Sequence, residues 1–407
     1  MRTRQASTAV KIFATLCALW LAPGAHAYSF DQVVPDVRQS AALSGGSACP
    51  VPAHQLTAAG SINVRWSTSL NNNPVTIITQ DQTAAGRQNE IAAVIQQAMA
   101  VWTNVSGTTL LPASFSSLTT TSTQNICGVD GLNSICFNQA DQAFTPGVLA
   151  FTRVVTADRA GLQLANGPAS TQPGEILDAD IFFSPNNSNV IFATPQALST
   201  TPKAYDFASL MTHEFGHLLG FSHSAVWRAM MFPYAPAPGT FTGTRPVALQ
   251  PDAPLADDDR TGLRVLYPDP ADTVHIGTIR GRILPANPLS LPAYPPGVTG
   301  IFGAHVVAMD ATGAVIAATI GGWSCAAPGP AQFDGTYEID RLAVAAAGQS
   351  YTVYAEPLNG VVGPAQVIPA IASLCRNSIT DPGWPPLQSC VVPSVDLSFT
   401  TRTQPGP

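Results

Sequence analysis

The chain has 407 residues, too many for one ordinary hydrophobic core, so two globular units and a leader are expected. Charged residues make up only 11% and hydrophobic residues 45%, with 36 Pro and 32 Gly, which argues against a coiled coil or a disordered chain and favours a protein rich in strands and loops. The formal charge of −7 becomes −10 once a leader with three basic and no acidic residues is removed, which argues against nucleic acid as a partner.

Residues 1–27 read as a secretory signal peptide: Arg2, Arg4 and Lys11 precede an apolar run from Ile12 to Leu21, and Ala25-His26-Ala27 is a small-x-small cleavage site. No later stretch is long and apolar enough for a membrane span. The expected product is secreted, cleaved near Ala27. Cys17 leaves with the leader, and the six cysteines that stay read as three disulfides. Cys127 with Cys136 and Cys375 with Cys390 would close short loops, leaving Cys49 with Cys325.

A short N-terminal segment, 28–59, shows little periodicity. Ile62 to Trp66 and Val75 to Ile78 predict strands. Ile91, Val94, Ile95, Ala98, Met99 and Trp102 form the one-sided stripe of a packed helix, closed by Gly107. Ala113 to Thr123, rich in Ser and Thr, reads as loop. Gly147 to Val154 and Ala179 to Phe183 predict two more strands. Asp178 and Asp180 suit a solvated or turn-capping role better than a cation site, because no dense pattern of oxygen ligands surrounds them.

A helix from about Tyr205 carries Thr212-His213-Glu214-Phe215-Gly216-His217, and Asp257 to Leu266 predict a second, whose first-turn carboxylates suit the helix dipole. Residues 269–275 read as a linker. Beyond it, Gly277 to Ile283, Ala304 to Ala308, Ala314 to Ala318, Gly335 to Ile339 and Tyr351 to Ala355 predict short strands with glycine turns, the pattern of a β-sandwich over 276–407. His275 and His305 there are lone histidines, read as surface or packed residues.

The chemistry sits between residues 213 and 223. His213 and His217 lie one turn apart on a helix face, so both imidazoles reach one ion. Gly220 tolerates positive φ, which lets the chain turn and bring His223 round as a third ligand. Three protein ligands leave the fourth position of a zinc ion to water, the arrangement of a catalytic site. Glu214 would not coordinate; it would act as general base on that water and return the proton to a leaving amine. Peptide-bond hydrolysis is the implied reaction, on protein or peptide substrates.

The spacing His213-Glu214-x-x-His217-x-x-Gly220-x-x-His223, with Ala229-Met230-Met231-Phe232-Pro233-Tyr234 after it, resembles the metzincin zinc peptidases, and the wording is most similar to the matrixin branch. The resemblance covers roughly 60–268. It implies an α+β metzincin catalytic domain, a twisted mixed sheet with helices, followed by the all-β sandwich. It also implies that Met231 is the Met-turn residue under the zinc, and that Gly147, Val148, Leu149 and Ala150 form the edge along which substrate backbone pairs. The segment Ala235 to Thr242 would wall a specificity pocket.

Some of the pattern is missing. Phe151 and Thr152 stand where matrixins usually have histidines for a structural zinc, so one zinc ion is expected. A calcium-ligand pattern is not recognisable, which leaves calcium undecided, and the Pro-Arg-Cys-Gly latency motif is absent. Pro233 follows the Met-turn where astacin-like relatives have a tyrosine ligand. The C-terminal strands are similar to a carboxypeptidase-regulatory-like, transthyretin-type sandwich, for which a surface or matrix partner is the expected role. Two rival readings stay open: a non-enzymatic secreted binding protein with a vestigial zinc site, and a thermolysin-like enzyme with a distant glutamate ligand, which Gly220 and His223 disfavour.

Overall fold

The structure is a computed structural model that describes residues 30–33, 51–55, 62–67, 75–118, 127–137, 143–185, 190–227, 229–238, 254–285, 299–322, 324, 333–344 and 350–358. The leader, Cys49, Cys325, Cys375 and Cys390 lie outside them. No helix among the described residues is long and apolar enough to cross a membrane.

In chain order the elements begin with β1 (Gln32–Val33), β2 (Val51–Pro52), β3 (His54–Gln55), β4 (Asn63–Ser67) and β5 (Thr76–Ile78). Helix α1 (Ala84–Thr103) follows, then β6 (Ser114–Leu118), β7 (Ser134–Cys136), β8 (Ala150–Thr156), β9 (Glu175–Phe183) and β10 (Ile191–Ala193). The short α2 (Pro195–Leu198) and β11 (Tyr205–Asp206) lead into α3 (Phe207–Leu218), and α4 (Asp257–Leu266) ends this part of the chain. Five strands remain: β12 (Gly277–Arg282), β13 (Ala304–Met309), β14 (Val315–Gly321), β15 (Thr336–Leu342) and β16 (Thr352–Glu356).

The main sheet runs β3-β9-β7-β4-β6 with all neighbours parallel, and β8 pairs antiparallel with β9 along the side that β3 only touches at its end. A parallel sheet needs both faces covered, and β9 shows it: all nine of its residues are buried. The predicted stripe of α1 is its buried face, residue for residue, and Thr83 caps the helix by accepting from the Gly86 N–H at 3.1 Å.

The Ser and Thr residues of 114–118 are not loop. They form β6, held in register by Asn63–Ser67 of β4, a partner about 50 residues away that local composition does not reveal. The strand predicted from Gly147 starts at Ala150, because Gly147 sits in a turn at φ +90°.

The C-terminal strands form two antiparallel sheets, β12-β15 and β14-β13-β16. They are not held at a distance from the rest. Ala308, Ala317, Ile339 and Leu342 join the same buried cluster as Trp102, Phe215 and Met231.

Candidate metal centre

Helix α3 exists because its apolar residues fit one face. Phe207, Leu210, Met211, Phe215 and Leu218 are buried, each contributing roughly 1.5–3 kcal/mol, enough to offset the several kcal/mol that burying a carboxylate on the same helix costs. Asp206 caps its start, accepting from the Ala208 N–H at 3.1 Å. Trp102 of α1 donates its indole N–H to the Thr212 carbonyl at 2.9 Å, fixing the turn just before His213. At the other end the last carbonyls find side-chain donors: Gln55 Nε2 to Leu218 O at 2.7 Å and Tyr267 Oη to Leu219 O at 2.7 Å.

Gly220 then turns the chain at φ +108°, and a Cβ there would lie 2.1 Å from the Ala53 carbonyl oxygen. The turn brings His223 back against the helix. The three rings meet with centroids 4.9, 5.4 and 4.8 Å apart, and one ligand nitrogen from each of His213, His217 and His223 lies within 4.8 Å of the others.

The hydrogen bonds select the tautomers. His213 Nδ1 lies 2.7 Å from Met230 O and His217 Nδ1 lies 2.8 Å from Phe221 O. A carbonyl only accepts, so both Nδ1 atoms carry the proton and both Nε2 atoms present a lone pair. Burial holds the His213 pKa below its ordinary value. It holds His217 well below, with the neighbouring His223 and His213 adding to the effect. Three imidazoles converging, each still partly exposed, suit a zinc ion in donor type and number.

Glu214, on the same helix as His213 and His217, is 3% exposed. Burial raises its pKa to about 8, against the opposing pull of a hydrogen bond from Thr152. The Thr152 hydroxyl lies 2.6 Å from Glu214 Oε2. Because Thr152 is on β8 and Glu214 on α3, this contact ties the edge strand to the helix beside the histidines. Thr152 drew notice in the sequence only as the absence of a histidine; no local signal pairs it with a residue 62 positions away.

Met231 is completely buried, and its sulfur packs so closely on Gly216, between the two helical histidines, that a Cβ at 216 would lie 2.2 Å from it. Its turn is held from α4. Asp259 Oδ2 accepts from the Met230 N–H at 2.7 Å, and Oδ1 from the Met231 N–H at 3.1 Å. The Asp257-Asp258-Asp259 run does occupy a helix first turn, as its sequence suggests, but Asp258 and Asp259 are each only 1% exposed and hold loops as well as the helix end.

Of the expected substrate edge, Ala150 is the first residue of β8, while Gly147, Val148 and Leu149 lead into it; the Leu149 carbonyl accepts from the Ser184 N–H at 2.8 Å. Tyr234 packs at a tilt against Phe232, ring centroids 5.9 Å apart. Only residues 235–238 of the expected pocket wall are among the described residues.

Asp178 and Asp180 are not solvated, since both are completely buried. Asp178 Oδ2 caps a turn by accepting from the Asp130 and Gly131 N–H groups at 3.0 and 2.7 Å, and Asp180 pairs with Arg153 at 2.5 Å. Beside them Cys127 and Cys136 are joined, with Cα atoms 6.3 Å apart, and pack with Phe182, Phe144 and Phe151. Phe151 stacks on Phe182 at 4.8 Å, so apolar rings fill the place where the matrixin resemblance would put a histidine. The two lone histidines are packed against carboxylates, His275 with Asp272 at 3.0 Å and His305 with Glu356 at 2.9 Å.

Comparison with known proteins agrees with this geometry. Residues 137–268 match the Matrixin family model. Metalloendoproteinase 1 of Glycine max is 42% identical over 69 residues, 17% of this chain and 19% of its own length. Stromelysin-3 of Rattus norvegicus is 33% identical over 100 residues, 24% of this chain and 18% of its own. The chain thus spans about a fifth of the length of these curated relatives. The similarity to these proteins is that of a matrixin domain at residues 137–268.

Proposed function

We propose that the chain is a secreted, zinc-dependent endopeptidase in which His213, His217 and His223 hold the metal and Glu214 is the general base. The observation that carries this is the convergence of three imidazoles, two of them on the helix that also carries a buried carboxylate. Zinc bound there supplies a Lewis acid and a bound water whose pKa falls to about 7. Glu214 takes a proton at its carboxylate and hands it to the amine that leaves. Thr152 occupies Oε2 of Glu214 and so fixes the direction in which the carboxylate faces. The antiparallel β8 borders the site, and a peptide laid along its outer edge would be read through backbone pairing, which admits varied sequences.

The layout that goes with this reading is a leader over 1–27, a short segment over 28–59, a peptidase unit over 60–268, a linker over 269–275 and a transthyretin-type sandwich over 276–407 that takes a surface or matrix partner. Export to an oxidising compartment suits the Cys127–Cys136 link.

The full chain carrying Glu214→Ala should retain one zinc ion and lose casein cleavage by at least about a thousandfold, the scale expected when a proton-transfer group is removed. Casein cleavage by that variant at the wild-type rate would overturn the assignment of Glu214. A wild-type chain that holds zinc but cleaves nothing would leave the non-enzymatic binding role.

A further inference from the structure

The histidine that closes the site is held from the far end of the chain. His223 is followed directly by Ser224, which is completely buried. The Ser224 N–H donates to Met231 O at 2.7 Å, its Oγ accepts from the Val226 N–H at 3.1 Å, and the same hydroxyl donates to Asp258 Oδ2 at 2.8 Å. Asp258 Oδ1 in turn accepts from the Ala318 N–H at 3.0 Å. Ala318 is in β14, the edge strand of the β14-β13-β16 sheet, and this N–H lies on the side of β14 turned away from β13. An apolar contact surrounds the bond: Val226 and Ala229 of the loop and Ala256 before α4 pack with Val307 and Ala318.

We propose that the C-terminal sheet is part of the scaffold of the metal centre, and that Asp258 is the positioning residue that carries its constraint through Ser224 to His223. The physical case rests on burial. A carboxylate 1% exposed must have its lone pairs met by donors, and here one donor comes from the loop after His223 while another comes from β14. Both donors bond to the same buried carboxylate, so the position of the sheet and the position of the loop are coupled. Removal of an outer partner of a metal-ligating residue commonly costs about tenfold or more in metal affinity. The inference rests on the zinc reading of the three histidines.

The test uses the full chain, with three variants. Asp258→Asn disrupts the hub, Ala318→Pro removes the β14 N–H, and Ser224→Ala removes the hydroxyl. Zinc release to a competing chelator, the visible spectrum of the cobalt-substituted protein and the melting temperature of the metal-free protein are measured. Asp258→Asn should speed zinc release about tenfold and alter the cobalt spectrum. Ala318→Pro should do the same to a smaller degree and add nothing in the Asp258→Asn background, as expected for residues that act through one another. Should Ala318→Pro fail to fold, the same non-additivity between Ser224→Ala and Asp258→Asn carries the test. Unchanged zinc release and an unchanged cobalt spectrum in all folded variants, with only a lowered melting temperature, would overturn the proposal while the functional reading stands. A wild-type chain that binds no zinc would overturn the functional reading and this inference with it.

Discussion

Two regions bury ionisable groups, and they do so in opposite ways. On α3 the imidazoles of His213 and His217 have their Nδ1 atoms bonded to backbone carbonyls and their pKa values held down by burial, so each keeps an Nε2 lone pair free of a proton. Along β8 and β9 the buried groups are carboxyl groups met by a guanidinium and by backbone N–H donors, Arg153 on Asp180 and two N–H groups on Asp178, with the part-exposed Arg65–Asp130 pair at 2.7 Å beside them. The first region is therefore built to receive a cation. The second already places a guanidinium and backbone donors on its carboxyl groups, so the partners present rather than the number of acidic residues separate a metal site from a structural polar network.

Gly220→Ala should break the first region most severely. The left-handed backbone at 220 costs any other residue, and the added Cβ would lie 2.1 Å from a backbone oxygen that cannot swing aside. We expect a loss of roughly 3 kcal/mol or more in the metal-free protein by urea denaturation, because strain and overpacking add, together with loss of stoichiometric zinc. If the variant binds zinc normally, His223 does not depend on the turn and the local account of the site fails.

Thr152→Val tests where the two regions touch. Valine keeps the shape but removes the donor to Glu214 Oε2, leaving a buried carboxylate without that side-chain donor. Hydrogen bonds to charged groups contribute about 1.5–3 kcal/mol, so kcat should fall at least about tenfold with KM and zinc content nearly unchanged, and Thr152→Ser should restore it. A matched rise in KM would instead place the effect in substrate binding along β8.

The sequence reveals the first region because its information is local. A four-residue spacing, a glycine and a third histidine lie within 11 positions, and the α1 stripe and the Asp257 to Leu266 helix are legible for the same reason of period. Cys127 and Cys136 are near in sequence as well as in space. The second region is written in long-range pairs: Thr152 with Glu214, Arg65 with Asp130, and β6 with β4. A run such as Ser114-Phe115-Ser116-Ser117-Leu118 has no strand character until a neighbour supplies the ladder. Asp258 stands between these cases. Its place in a helix first turn is local, whereas its bonds to Ser224 and Ala318 follow only from packing.

Asp180→Asn probes the second region, with a smaller effect whose sign decides the comparison. Burial, and then the charge of Asp178, raise the Asp180 pKa from 3.8 to about 8, with Arg153 pulling the other way. Between those values the folded chain keeps a proton that the unfolded chain has lost, so this group's contribution to stability falls as pH rises from about 4 to about 8 and is level beyond both ends. Asparagine cannot ionise, and its loss of the Arg153 pairing costs a similar amount at every pH. Urea midpoints of the metal-free chain at pH 5, 6.5 and 8.5 should therefore show the variant gaining steadily on the wild type as pH rises. The opposite trend, with the wild type gaining on the variant, would mean that the Arg153 guanidinium outweighs burial and keeps Asp180 anionic throughout. In that case the β7–β9 corner holds a true buried ion pair, and its contrast with the neutral donors around His217 becomes sharper.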